Sequence, residues 1–307
     1  MTTTLGAFAV AVLALGACGK SEDKSSGSSA KEPAAKAPAA TRSGLELFAG
    51  KVPALPPPVD KIKPGMPGDQ AKAAAPDVFA AKYGYELPGY DDVEIKVYLH
   101  DKSQRVHETQ IELKEPLETA KTELAKKWGE PRTTKNSIDA AIYYWDHPAT
   151  GVRAKLEGRA TKSVIHFSDV MSNEQLLGTT PGKFGFETTP LLGATKDAVM
   201  KGYEVRDPQE RADDPDAVWF SLPPLDTSEY GGSVAVRFKN GAATGYTVSV
   251  SFSWDPAAKA KLLAGLETLF GKPTPDRMYL DFPGPPKVKV DHDGKDQLVI
   301  WVADYKK

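Results

Sequence analysis

Apolar residues recur along this chain with two different periods. Leu117, Ala120, Leu124 and Trp128 stand at the spacing of one helical face, and Leu262, Leu263, Leu266 and Phe270 do the same. Each run stops at a glycine followed two residues later by proline, Gly129-Glu130-Pro131 and Gly271-Lys272-Pro273. The spacing predicts two amphipathic helices closed by an aromatic residue, with glycine as a left-handed cap and proline blocking continuation. Ahead of each helix the period falls to two. Val93, Ile95, Val97 and then Thr109, Ile111, Leu113 form one alternating pair of runs, and Val234, Val236, Phe238 and then Val248, Val250, Phe252 form another. These are hairpins, turning around Lys102 and at Asn240-Gly241. After the helices come further strands: Tyr144 to Pro148 matches Tyr279 to Pro283, and Val164 to Asp169 matches Val299 to Asp304 at the same offset. Short helices are predicted ahead of the hairpins, over Asp69 to Lys82 and over Lys196 to Tyr203 with Thr195 as N-cap.

A pattern that returns with a constant offset predicts an internal duplication. The expected fold is α+β, built as two tandem α-β-β-α-β-β-β repeats. Their sheets are antiparallel, with helices packed on one face and the other face partly open. The first repeat covers 59–170, a Gly-, Thr- and Pro-rich linker covers 171–190, and the second repeat covers 191–307. Only the second carries an insertion, 204–232. It holds Arg211, Asp213-Asp214-Pro215-Asp216, the apolar piece Ala217 to Leu222 with Trp219, and Pro223-Pro224. The apolar piece is expected as an exposed edge strand. Asp213, Asp214, Asp216 and Trp219 are the candidate partner-binding residues, because matched halves should not both need them to fold.

Residues 18–58 lack the apolar content for a core and are expected as a disordered tether, with Leu45, Leu47 and Phe48 as its few large apolar residues. Before them, Leu5 to Ala17 is an apolar run of signal-peptide length, short of the roughly 20 residues that span a bilayer as a helix. It ends in Leu15-Gly16-Ala17-Cys18. That ending resembles the lipobox of bacterial lipoproteins, an aliphatic residue and two small ones before the cysteine that receives lipid. The resemblance covers the export segment alone. It implies cleavage before Cys18, a diacylglyceryl group on its thiol and an acylated amino group, hence anchoring in the cell envelope. Gly19 and Lys20, with no Asp after the cysteine, imply the outer membrane if the host is diderm. Met1-Thr2-Thr3-Thr4 lacks the family's usual Lys or Arg, which leaves the true start of the segment open. The helix-on-sheet body is similar in build to small lipoproteins of outer-membrane assembly, although a hairpin here separates the two helices.

The formal net charge of -2 and the scattered lysines argue against nucleic acid. One cysteine excludes an internal disulfide. His107-Glu108 opens like the zinc motif H-E-x-x-H, but Ile111 stands where the second histidine belongs, on a strand. Asp291, Asp293 and Asp296 around Gly294 are spaced wrongly for a calcium loop and predict a turn. Asp146 and Asp281, each two residues before a proline, are the carboxylates a hydrolase would use; the strand-ending reading, with bonds to nearby backbone N–H groups, outweighs that one. His166 on an apolar strand reads as a packed, hydrogen-bonded histidine. No metal, cofactor or catalytic residue is expected. The expected function is a non-catalytic binding or scaffold module for a protein or cell-wall component. A carrier of an apolar ligand held between helices and sheet is the alternative, and a hydrolase comes last. A large lined pocket favours the carrier, converging carboxylates the enzyme, and a shallow surface the binding module.

Overall fold

Two antiparallel sheets, each with helices on its apolar face, make up a mixed α+β body. A computed structural model describes residues 41–159, 161–291 and 296–303. The export segment, Cys18 and the tether up to residue 40 lie outside the described residues, as do Asp293, Gly294 and Asp304.

The first sheet-forming region runs α1 (Gly68–Ala74), α2 (Pro76–Ala80), β1 (Tyr85–Glu86), β2 (Glu94–Leu99), β3 (Val106–Leu113), α3 (Leu117–Trp128), β4 (Arg132–Lys135), β5 (Ala141–His147), β6 (Val152–Arg159) and β7 (Lys162–Asp169). Its seven strands lie in the order β1-β2-β3-β7-β6-β5-β4. Next come α4 (Asn173–Leu177), α5 (Lys196–Gly202), β8 (Gln209–Arg211), β9 (Asp214–Pro224), β10 (Gly231–Lys239), β11 (Ala242–Ser251), α6 (Pro256–Phe270), β12 (Thr274–Asp276), β13 (Tyr279–Phe282), β14 (Val288–Asp291) and β15 (Gln297–Ala303). These eight strands lie in the order β12-β13-β14-β15-β11-β10-β9-β8. Both sheets belong to one compact unit.

The long helices and hairpins form where the periodicities predicted them. Asn240 and Gly241 take positive φ, 52° and 80°, the requirement of a two-residue turn whose twist matches its strands. The helix caps differ from expectation in one respect. Gly129 and Gly271 share φ 86°, but their ψ values of 178° and 172° are extended, so the chain leaves each helix through a region open only to glycine. Four strands, not three, follow each long helix, because the short exposed β4 and β12 carry too few apolar residues to register in the pattern.

Two segments expected as connectors are core. Phe48 is buried, with its ring edge-on to Trp128 at 5.5 Å and stacked on Phe167 at 6.1 Å; Leu45 and Val59 are buried beside it. Residues 41–58 are therefore part of the folded body. A few large side chains that bury fully, each worth about 1.5–3 kcal/mol, hold a segment whose composition is otherwise that of a tether. In the same way 171–190 is no passive linker: Met171, Leu176, Leu177, Phe184 and Phe186 join the second core, with Phe184 5.4 Å from Phe270. Buried Glu187 ties this loop down by accepting from the backbone N–H of Phe184 (3.0 Å) and Leu191 (3.4 Å) and from the Tyr246 hydroxyl (2.7 Å).

Candidate functional site

The chain passes from the first sheet to the second through Met171. Its N–H donates to Pro224 O (3.0 Å), and its carbonyl accepts from Asp226 N (2.9 Å). Beside this crossing lies a cleft of about 1240 Å³, somewhat larger than the roughly 300–1,000 Å³ of ordinary small-molecule sites. Its wall is mostly apolar: Val52, Leu55, Ile62 and Met66 from the lead-in segment, Phe167 from β7 and Phe186 from the following loop. Polar groups gather where the halves meet. Arg206 donates to Asp169 at 2.6 Å, and Arg105 pairs with Glu204 at 3.0 Å while donating to Gly65 O at 2.9 Å. The cleft lies between the two sheet regions, not between helices and sheet.

A second junction has a buried cation at its centre. Arg153 on β6 points away from the first core, yet it is only 3 % exposed. It donates to both carboxylate oxygens of Asp146 (2.7 and 3.0 Å) and, from Nη2, to the carbonyls of Leu225 (3.0 Å) and Ser228 (2.8 Å). The Trp254 ring lies 4.8 Å from the guanidinium and 4.8 Å from Tyr144, whose hydroxyl donates to Glu229. The outer face of the first sheet is thus covered at β5 and β6. Asp146 does not end its strand by bonding backbone N–H groups, as expected; an arginine directly opposite it in register outcompetes them with a bidentate, charge-assisted pair. The hairpin spacing from Asp146 to Arg153 is the signal that could have revealed this pair. Asp281 lies in the other sheet, near Lys289 at 3.9 Å, and does not converge with Asp146.

The insertion contributes to both junctions: Glu204 and Arg206 at the cleft, Leu225, Ser228 and Glu229 at Arg153. Its apolar piece, Ala217 to Leu222, lies in β9, an eleven-residue strand paired with β10 on one side; on the other side β8 covers Val218 and Trp219, which are therefore not an exposed edge, while Phe220 to Leu222 run past its end. The short β8 caught no periodicity, yet it supplies the pairing that covers them. Asp214 is engaged by Arg237 through two bonds (3.0 and 2.8 Å), and exposed Asp213 by Arg211 (3.0 and 2.8 Å), which holds its carboxyl below the usual range. Asp216 is exposed. Trp219 is half-buried on the outward face, with the Arg211 guanidinium 5.2 Å from its ring. The four candidates sit along one sheet margin and do not form a pocket.

On the outward face of the first sheet, His166 lies between two carboxylates, Nδ1 at 3.1 Å from Glu108 and Nε2 at 3.1 Å from Glu157. Burial alone would lower its pKa, but the two carboxylates outweigh burial and raise it above the ordinary 6.5. The hydrogen bond from His166, with Lys155 helping, holds Glu157 down at about 2. The histidine's contribution to stability is therefore full below pH 6.5 and disappears as pH rises through its raised pKa. That of Glu157 is full above its ordinary 4.5 and disappears as pH falls toward about 2. His166→Phe should lower the melting temperature most between these two ordinary values. The gap between wild type and variant should close at alkaline pH; a gap constant from pH 6 to pH 9 would contradict the ion-pair account.

Among the described residues, no group of three or more His, Cys, Asp or Glu is arranged to hold a metal ion, and no helix is long and apolar enough to cross a membrane. No protein family, curated protein or solved structure matches the chain.

Proposed function

We propose that this chain is a lipid-anchored lipoprotein of the cell envelope. In this reading its body is a non-catalytic binding protein made from two copies of one module, holding an elongated, mainly apolar ligand in the cleft between them. The cleft carries the reading: its volume and apolar wall suit a chain-like ligand better than a polar substrate. The lipobox-like segment supports the envelope address, and from Cys18 the protein could hold cargo close to a lipid surface. Duplication is supported by the shared strand order, in which the last strand of each half pairs with the second strand of its hairpin. It is supported again by the lead-in aromatics, Phe48 on Trp128 in one half and Phe184 on Phe270 in the other. Against a hydrolase stand the engagement of Asp146 by Arg153 and the separation of Asp281 from it.

The test is photocrosslinking of a diazirine-bearing palmitate to the full chain in lipid nanodiscs. Adducts should map to peptides around residues 52–67 and 167–188. Val52 and Val205 line the cleft and are 36 % and 48 % exposed, so Val52→Asp and Val205→Asp should leave the melt unchanged. They should cut adduct yield at least about tenfold, because the ligand would have to desolvate a carboxylate. Adducts elsewhere, or yields indifferent to both substitutions, would refute the cleft as the site.

A further inference from the structure

The outward face of the second sheet has a composition that its fold does not require. Strand register sets Trp219, Ala235, Thr247, Trp301, Lys289 and Asp281 side by side across six strands, on the face opposite Val234, Val236, Val248 and Ile300 of the core. The two tryptophans are three strand spacings apart, about 14 Å, with Ala235, which is buried under the neighbouring side chains, and Thr247 between them. The neighbouring row reads Ser221, Ser233, Ser249, Val299, Asp291 and Tyr279. Tyr279 meets Trp301 edge-on at 5.7 Å. Two indoles therefore stand in one row, and three serine hydroxyls, the Asp291 carboxylate and the Tyr279 ring stand in the next.

We infer that this face binds a glycan strand of the cell wall, a β-linked chain of N-acetylated amino sugars, laid across Trp219 and Trp301. Sugar rings offer an apolar face of C–H bonds to an indole and a rim of hydroxyls to serine and aspartate, which is the pairing present here. A protein partner fits less well, because charged residues are depleted from the centre of protein interfaces, and here Lys289 and Asp281 share the row with the rings. Trp219 Nε1 and Thr247 Oγ1 are buried without a hydrogen-bond partner. Presenting the Trp219 indole to a sugar therefore breaks no hydrogen bond of that ring, but it displaces the Arg211 guanidinium, which lies 5.2 Å from the ring and is half-exposed in its pair with Asp213. Neither tryptophan lines the cleft, so this site is separate from the one proposed above, and it draws on that reading only for the envelope address that puts wall glycan within reach.

The experiment titrates chitohexaose into the full chain in detergent, followed by calorimetry and tryptophan fluorescence, with cellohexaose as the sugar lacking acetamido groups. Chitohexaose should bind and cellohexaose should bind more weakly. Trp219→Ala and Trp301→Ala should each weaken chitohexaose at least about tenfold. Ser249→Lys, which obstructs the hydroxyl row without touching the core, should do the same and decides the matter if the tryptophan variants melt early. Val52→Asp in the cleft should leave sugar binding unchanged, so the two sites stand or fall separately. Failure to bind chitohexaose, equal binding of cellohexaose, or binding indifferent to Ser249→Lys and to the folded tryptophan variants would each overturn the proposal. So would capture of a protein through the same indoles by a chain that ignores the sugar.

Discussion

Replacing Arg153 with methionine should destabilise the protein by roughly 3–5 kcal/mol, the usual cost of removing one partner from a buried ion pair. Methionine keeps most of the stem's volume but leaves Asp146, 6 % exposed at its side chain, with its bidentate partner gone. It also strips the Leu225 and Ser228 carbonyls of a donor where little water reaches them. Arg132, 3.7 Å from Asp146 and half-exposed, can compensate only weakly. The double variant Arg153→Met with Asp146→Leu should recover much of the loss, because a buried pair replaced by apolar groups is often near neutral. Urea denaturation measures both through the midpoint at constant slope. A loss under about 1 kcal/mol for Arg153→Met would mean that the junction is wet and Asp146 solvated.

Glu187→Ala should cost about 3 kcal/mol or more. Its carboxylate is the acceptor for two backbone N–H groups and for the Tyr246 hydroxyl, all buried, and each orphaned donor is worth about 1–3 kcal/mol. The Tyr246 phenol is already pushed far up by burial and then by the Glu187 charge, so it stays a neutral donor throughout the accessible pH range. Glu187→Gln keeps one carbonyl oxygen and should cost less than half as much. Hydrogen exchange should show loss of protection first at Phe184 and Leu191. Unchanged protection at both would show that the loop is held by Phe184 and Phe186 alone. Since Phe186 lines the cleft, this variant should also weaken palmitate crosslinking.

The elements were legible in the sequence because each carries its own period: Leu124 and Leu266 on helical faces, Ile111 and Val248 on alternating strands, Asn240-Gly241 at a turn that demands positive φ. Such signals are local, fixed by which side of a helix or strand must leave water. His166 was legible as a packed histidine for the same reason, although the identity of its carboxylates was not. Tertiary structure decided what depends on residues distant in the chain. Phe48 is core because Trp128 and Phe167 enclose it, and no composition average over 18–58 registers a single well-placed ring. Arg153 is buried because residues 225–229 and Trp254 fold over it, although an arginine on an alternating strand reads as a solvated position. The cleft exists only where two separately formed sheets meet at Met171 and Arg206, a juxtaposition set by packing at long range, which no periodicity along the chain encodes.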